Sequence, residues 1–438
     1  MILSIDPPPR LGRAGQLASG GPSDRSAPSA ACSLRALCWL FLALVWTFGL
    51  FRPFEARAQS DDDRPARALP PILHEEMLTV LQSYDDNILL RPATRLSDWI
   101  TRIAPEVRLW AEQGPVKLSL RGEAEVEFFQ HHTELNTFDR AQHLDGALEV
   151  RLSPRFTLEA SDLFIHSLDP FNATILGFGQ VVERTEYFTN LLGGKAHYRL
   201  SALSTLVVYG SDLITTYRDP NLLNSNLIEV GAGLAVRLNP LDVMTPEYTF
   251  RNYSFERGPS FDASLLTLQE ERRFSATLAG RLRAGAVFLR EATSDWLVEF
   301  MGDAELTKTL NTATTFRVEI KRDLAVVGGF NGVFISNSFL LAMVRKLGEN
   351  FTLSLSGAGL LQDSVFDSSE KLETYSVAVD VRYRVLSWLD AFFDYSYLRQ
   401  DTHSTIPNID DDRVVIGVAA HTPLGGGEPF RLKEPGPF

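Results

Sequence analysis

The chain has 438 residues, is 45% hydrophobic and carries a formal net charge of −13. A mean hydropathy of −0.04 excludes a bundle of membrane-spanning helices, and the acidic balance excludes a basic nucleic-acid-binding surface. Cys32 and Cys38 are the only cysteines, so a disulfide framework or thiolate metal site cannot organise the bulk of the chain.

At the N-terminus, scattered arginines (Arg10, Arg13, Arg25, Arg35) precede the uncharged apolar run Ala36–Phe51. This run is shorter than the ~20 residues that a helical span needs. It is followed by the small-x-small triplet Ala56-Arg57-Ala58, the layout of a secretory signal peptide. We therefore expect residues 1–58 to be a signal peptide cleaved after Ala58. Removing them takes away both cysteines and six arginines against three acidic residues, which leaves the remainder more acidic still. Residues 59–73 are acidic and proline-containing, a periplasmic lead-in too short to form a plug domain. Residues 74–422 are expected to form the folded body. Residues 423–438 are a Gly/Pro-rich tail.

The body is built from stretches in which every second residue is apolar. In 372–386, Tyr375, Val377, Val379, Val381, Tyr383 and Val385 alternate with Ala378, Asp380, Arg382 and Arg384. Successive side chains of a strand point to opposite faces, so one face is apolar and the other polar. On a strand tilted by ~40°, Tyr375 and Tyr383 are separated by roughly 20 Å in height, close to that of the apolar band between the aromatic girdles of an outer-membrane barrel. The same alternation places Lys117, Arg121, Glu123, Glu125 and Glu127 on one face of 117–128, and Glu299 and Asp303 on one face of 298–307. It also groups Arg317, Glu319 and Lys321 in 313–321, and sets Asp390 and Asp394 against Phe393, Tyr395 and Tyr397 in 389–397. A helix would instead repeat its apolar residues every three or four positions. Tyr375, Tyr383, Phe393, Tyr395 and Tyr397 are the candidate membrane-interface aromatics. The charged residues just named, with Asp380, Arg382 and Arg384, are the candidate lumen-lining set.

Short and long connections alternate between these stretches. Short turns are read at Arg151-Leu-Ser-Pro154, Arg237-Leu-Asn-Pro240, Arg281-Leu-Arg-Ala284 and Arg384-Val-Leu-Ser387; longer links rich in Asp, Asn, Ser and Pro lie at 130–139, 166–184, 218–226 and 400–412. Short periplasmic turns and longer external loops are the outer-membrane pattern. The expected fold is all-β: a transmembrane antiparallel up-and-down β-barrel of 16–18 strands, with 18 favoured. Strands are expected at 266–282 and 284–292 in the stretch where the pattern is weakest.

The opening of the body, Tyr84-Asp-Asp-Asn-Ile-Leu-Leu90 followed by Arg95-Leu-Ser-Asp-Trp-Ile-Thr-Arg-Ile-Ala-Pro105-Glu-Val-Arg-Leu109, resembles the β-barrel porin 2 family of outer-membrane proteins. The resemblance implies a monomeric porin-type barrel and, in some members, export of exopolysaccharide or capsule. It brings no catalytic residue with it.

A barrel of this size leaves a water-filled lumen. The charges expected to face it mix signs, which leaves two readings. They neutralise one another across neighbouring strands, or they form a transverse field suited to neutral or weakly charged sugars. No single-sign ring that would select ions is visible. No nucleophile–base spacing, phosphate loop or zinc motif occurs, so neither an enzyme nor a cofactor is expected. His131-His132 and Asp410-Asp411-Asp412 are read as solvated groups and not as metal sites. The expected location is the outer membrane of a Gram-negative-type bacterium. The expected partners are outer-membrane lipid and lipopolysaccharide and the barrel-assembly machinery, with a polysaccharide and its periplasmic export components implied by the resemblance. A general diffusion porin and a non-conducting surface scaffold are the alternatives.

Overall fold

The computed structural model describes residues 73–422, apart from 92–94, 169–183, 292–294, 312, 328–331, 366–369 and 403–407. The expected signal peptide, the lead-in before Leu73 and the tail from 423 lie outside the described residues. Eighteen strands follow one another. They are β1 (Leu73–Asp85), β2 (Asp98–Gln113), β3 (Val116–Phe129), β4 (Thr137–Ser153), β5 (Phe156–Ser167), β6 (Tyr187–Arg199), β7 (Ser204–Tyr217), β8 (Ser225–Asn239) and β9 (Asp242–Phe255), then β10 (Phe261–Ser275), β11 (Leu278–Glu291), β12 (Leu297–Asn311), β13 (Thr314–Val326), β14 (Val333–Leu347), β15 (Phe351–Ser364), β16 (Lys371–Leu386), β17 (Leu389–Thr402) and β18 (Ile409–His421). A single 3-10 turn, Thr133–Leu135, is the only helical element among the described residues. Each strand pairs antiparallel with its sequence neighbours, and β1 pairs with β18 from Met77↔His421 to Asp85↔Arg413. The sheet is therefore a closed 18-stranded up-and-down barrel, which removes the free edges an open sheet would expose.

The sequence dictates this shape through its period of two. Outward positions carry exposed apolar side chains, among them Leu192 (54%), Phe300 (61%), Ile320 (60%), Leu341 (53%) and Val377 (51%). The intervening positions point into the cylinder and carry the charges. One end of the barrel is joined by connections of two to four residues and the other by connections of five to nineteen. At two of the tight turns, Gly114 (φ 57°) and Gly348 (φ 77°) take left-handed conformations that favour glycine.

One pair of strands differs from expectation. The turn expected near 283 lies at 276–277, so that β10 ends at Ser275 and β11 begins at Leu278. The expected turn Arg281-Leu-Arg-Ala284 includes Arg281 and Arg283. They are mid-strand positions whose guanidinium groups point inward to Asp303 and Glu305.

The wall is not uniform at the long-loop end. The ladder between β12 and β13 stops at Gly302↔Arg322. The ladders on either side continue, to Leu289↔Leu297 and to Val326↔Val333. Beyond the split, the outward-facing residues of the β13–β14 hairpin (Leu324, Val326, Val333 and Ile335) pack against the inward-facing Tyr253, Phe261, Leu265, Val287, Leu289 and Met301 of β9–β12. The outer side of one segment can meet the inner side of another only if the hairpin tip has folded into the cylinder. On the tip's opposite side, Val327 and Phe334 pack against Leu372, an inward residue of β16. The described residues on either side of 328–331 thus form an apolar wedge inside the lumen.

Candidate functional site

The interior is built from charges that side-chain alternation sends inward. At the short-turn side of β2 and β3, Arg121 meets Glu106 (3.1 Å) and Glu123 (2.7 Å), and Lys117 lies 3.9 Å from Glu112. Higher up, the fully buried carboxylate of Glu127 accepts from Nε of Arg102 (3.2 Å), Nε of Arg140 (3.1 Å) and Arg184. Glu125 also pairs with Arg140. Three guanidinium groups around one carboxylate are tolerable out of water because Glu125 supplies a second negative charge.

A second network lies under the hairpin tip. Asp323 of β13 accepts from Nη1 of Arg251 on β9 at 2.8 Å and lies 3.6 Å from Arg283 of β11 and 3.4 Å from Lys321. Arg251 also pairs with Glu229, and Arg283 donates to Asp303 at 2.5 Å. Strands β9 and β13 are not neighbours in the sheet. The Arg251–Asp323 bond therefore cuts across the interior between strands four places apart and fixes the base of the β13–β14 hairpin. Arg251 and Asp323 are each 5% exposed. On the short-turn side of this bridge is a cavity of about 220 Å³ lined by Lys195, Tyr209, Glu247, Gln269, Arg281 and Arg283, with Asp303, Glu319 and Lys321 closing it.

The remaining candidate residues take their places as follows. Arg317 pairs with Glu319 (2.7 Å) and Glu305 (3.4 Å). Glu299 is bound by Arg322 at 3.1 Å. Asp380 pairs with Arg382 at 3.2 Å and stands opposite Asp394, while Arg384 lies 3.8 Å from Asp390. Of the aromatics, Tyr375, Tyr383 and Phe393 are exposed on the outer face. Tyr395 and Tyr397 donate their hydroxyls to Asp412 and Asp410, both at 2.8 Å. Phe393 stands opposite Val381, one same-face position further along than Tyr383, which stands opposite Ala391.

The residues that bridge the interior were not singled out from the sequence. Glu229 appears there as an inward charge in an apolar strand, and Arg251 shares an inward face with Glu247 among aromatic residues; those charges were the available signal. Asp323 follows Lys321 and Arg322, and the run looks like the end of a strand. The stretch that carried the family resemblance folds over the rim. Ile88 packs with Ile100 and Phe129, and Leu90 packs with Leu398 and Ile409, all inward residues. Asn87 holds the segment by donating from Nδ2 to the Asp410 carbonyl at 2.9 Å. Asp98, at the next strand's start, accepts from the backbone and ring Nδ1 of both His131 and His132. That adjacent pair is thereby a loop anchor.

An apolar exterior, an ion-paired interior and a closed up-and-down sheet define a porin-type barrel. Among solved structures the chain is similar to Pseudomonas aeruginosa OccK2 (OpdF), with 12% identity, a TM-score of 0.45, and coverage of 80% of this chain and 98% of that one. It is also similar to Acinetobacter baumannii OccAB3 (10%, 0.43, 80% and 99%) and Pseudomonas aeruginosa OccK11 (OpdR) (15%, 0.43, 82% and 99%). No family model and no curated protein matches the sequence. The likeness of residues 84–109 to the exopolysaccharide-associated barrels is therefore without support from any family model.

Proposed function

We propose that the protein sits in the outer membrane of a Gram-negative-type bacterium, exported by the expected signal peptide, and is a passive channel for small hydrophilic solutes. The observation that carries this is the sorting of side chains: apolar residues outside a closed cylinder, and paired charges inside it. Charged lumen residues keep a column of water that an apolar interior would expel. The wedge and the Arg251–Asp323 bridge narrow the long-loop half, which favours small solutes over the polysaccharide that the resemblance implied. Lipopolysaccharide is the expected neighbour of the outer face.

Planar-bilayer recording of the refolded barrel tests the proposal. Stepwise insertion of ohmic channels in potassium chloride is expected, with conductance reduced by small polyethylene glycols and indifferent to large ones. Barrels that insert but pass no current would remove it in favour of a surface scaffold.

A further inference from the structure

The split between β12 and β13 lies where the wall passes from an apolar exterior to an apolar interior. Outside it stand Trp296, Val298 and Phe300, exposed by 52%, 56% and 61%. Inside it lies Met301, 2% exposed, within the buried cluster of Val287, Leu289, Leu324, Val326 and Val333. At every other seam among the described residues, at least one of the two strands is paired to within two residues of its long-loop end. Here no ladder bond joins Leu297–Met301 to Asp323–Val326 among the described residues. The Arg322 side chain reaches across the gap. Arg322 donates from Nε to the Phe300 carbonyl at 3.0 Å, from Nη2 to Glu299 at 3.1 Å, and from Nη1 to Asn337 of β14 at 2.8 Å. It grips both edges at once, and a side chain can rotate away where a backbone ladder cannot.

We propose that this split is a lateral passage, latched by Arg322, through which a small amphiphile with an acyl or aromatic body moves between the outer membrane leaflet and the apolar cluster under the hairpin tip. Three features of the site fit that ligand. Behind the mouth its walls are the apolar side chains of the buried cluster, which suits a hydrocarbon body. The Arg322 guanidinium sits at the mouth, where an anionic or carbonyl head would replace Glu299 or Phe300 as acceptor. The cluster is filled by the protein's own tip, so a ligand displaces Leu324, Val326 and Val333 instead of entering a void that would otherwise cost stability. From the proposed function this takes only that the outer face meets lipid; it does not require that ions pass along the barrel axis.

Because both cysteines precede residue 58, a cysteine introduced into the barrel is unique once that segment is removed or omitted. The test uses Met301→Cys in liposomes, with N-(1-pyrenyl)maleimide delivered through the bilayer and a membrane-impermeant sulfonated maleimide delivered through water. The pyrenyl reagent is expected to react slowly in the Met301→Cys protein. It should react about tenfold faster when Arg322→Ala is added, the factor expected from losing a charge-assisted contact. Arg322→Gln, which keeps a donor for the Phe300 carbonyl, should fall between. The sulfonated reagent should be unaffected, and sodium dodecanoate should slow the pyrenyl reaction. An unchanged pyrenyl rate in both Arg322 variants would overturn the proposal. So would equal acceleration of both reagents, which means that the tip has swung into water. Absence of protection by dodecanoate would remove the ligand class. Loss of ion conductance alone would count against the axial pore and leave the lateral passage standing.

Discussion

Two knots of buried charge hold this barrel, and they differ in what they join. The first gathers Arg102, Arg140 and Arg184 on Glu127, and two of its three cations come from strands that flank or adjoin the carboxylate's own. The second gathers Arg251, Arg283 and Lys321 on Asp323, and its shortest bond reaches from β13 to β9. The chemistry is the same, one carboxylate among several cations away from water. The first knot stiffens a patch of wall. The second ties a folded-in hairpin to a wall strand four places away. Sequence separation and sheet order, more than the residues themselves, decide whether a buried ion cluster is masonry or a tether.

The comparison can be broken at either knot. Glu127→Ala strands three guanidinium groups and should destabilise the barrel by about 3–5 kcal/mol, read from urea unfolding in liposomes; Glu127→Gln should recover part of that. Single-channel conductance should change little, because the wall keeps its course. Val377→Arg, on the outer face of β16, should cost about 2–4 kcal/mol in the same assay through lipid exposure of the charge. Ser376→Arg, one residue away and facing inward, should be nearly silent in stability. Equal effects from that pair would mean that the two faces do not meet different solvents. Val333→Ala removes two methyl groups from the wedge and should cost about 1–2 kcal/mol. Its informative readout is conductance, which should rise as the tip loosens; no rise would mean that the wedge does not limit flow. Arg382→Ala breaks an ion pair whose arginine side chain is 63% exposed. It should shift stability by less than about 1 kcal/mol and lose even that in high salt.

The cylinder was legible in the sequence because lipid outside and water inside impose a period of two on every strand, and alternating connection lengths mark its two ends. The strand count followed from that rhythm. The misplaced turn near Arg281 arose where the inward charges of β11 mimic the polar punctuation of a turn. The candidate lumen residues are now assigned partners: Glu125 and Arg140, Asp303 and Arg283, Arg317 and Glu319. Two features left no periodic trace. The inward fold of the β13–β14 tip reverses which side of Leu324, Val326 and Val333 is buried against protein, yet their alternation reads like that of any other strand. The Arg251–Asp323 bridge joins residues from non-adjacent strands, and no local pattern reports a partner four strands away. The chain's resemblance at Tyr84–Leu90 pointed to a family, whereas the structure gives those residues the task of folding the first loop over the rim.

The seam between Met77–Asp85 and Arg413–His421 sets the order in which the molecule can be made. The first strand must wait for the last, so nearly all the polypeptide is synthesised before the cylinder can shut. Such distant closure is slow by its loop entropy. During that delay β1 offers an unpaired edge bearing Leu78 and Val80, both outward-facing and apolar, to any neighbouring strand. The interval before shutting, more than the finished barrel, is when the chain exposes an edge open to mispairing.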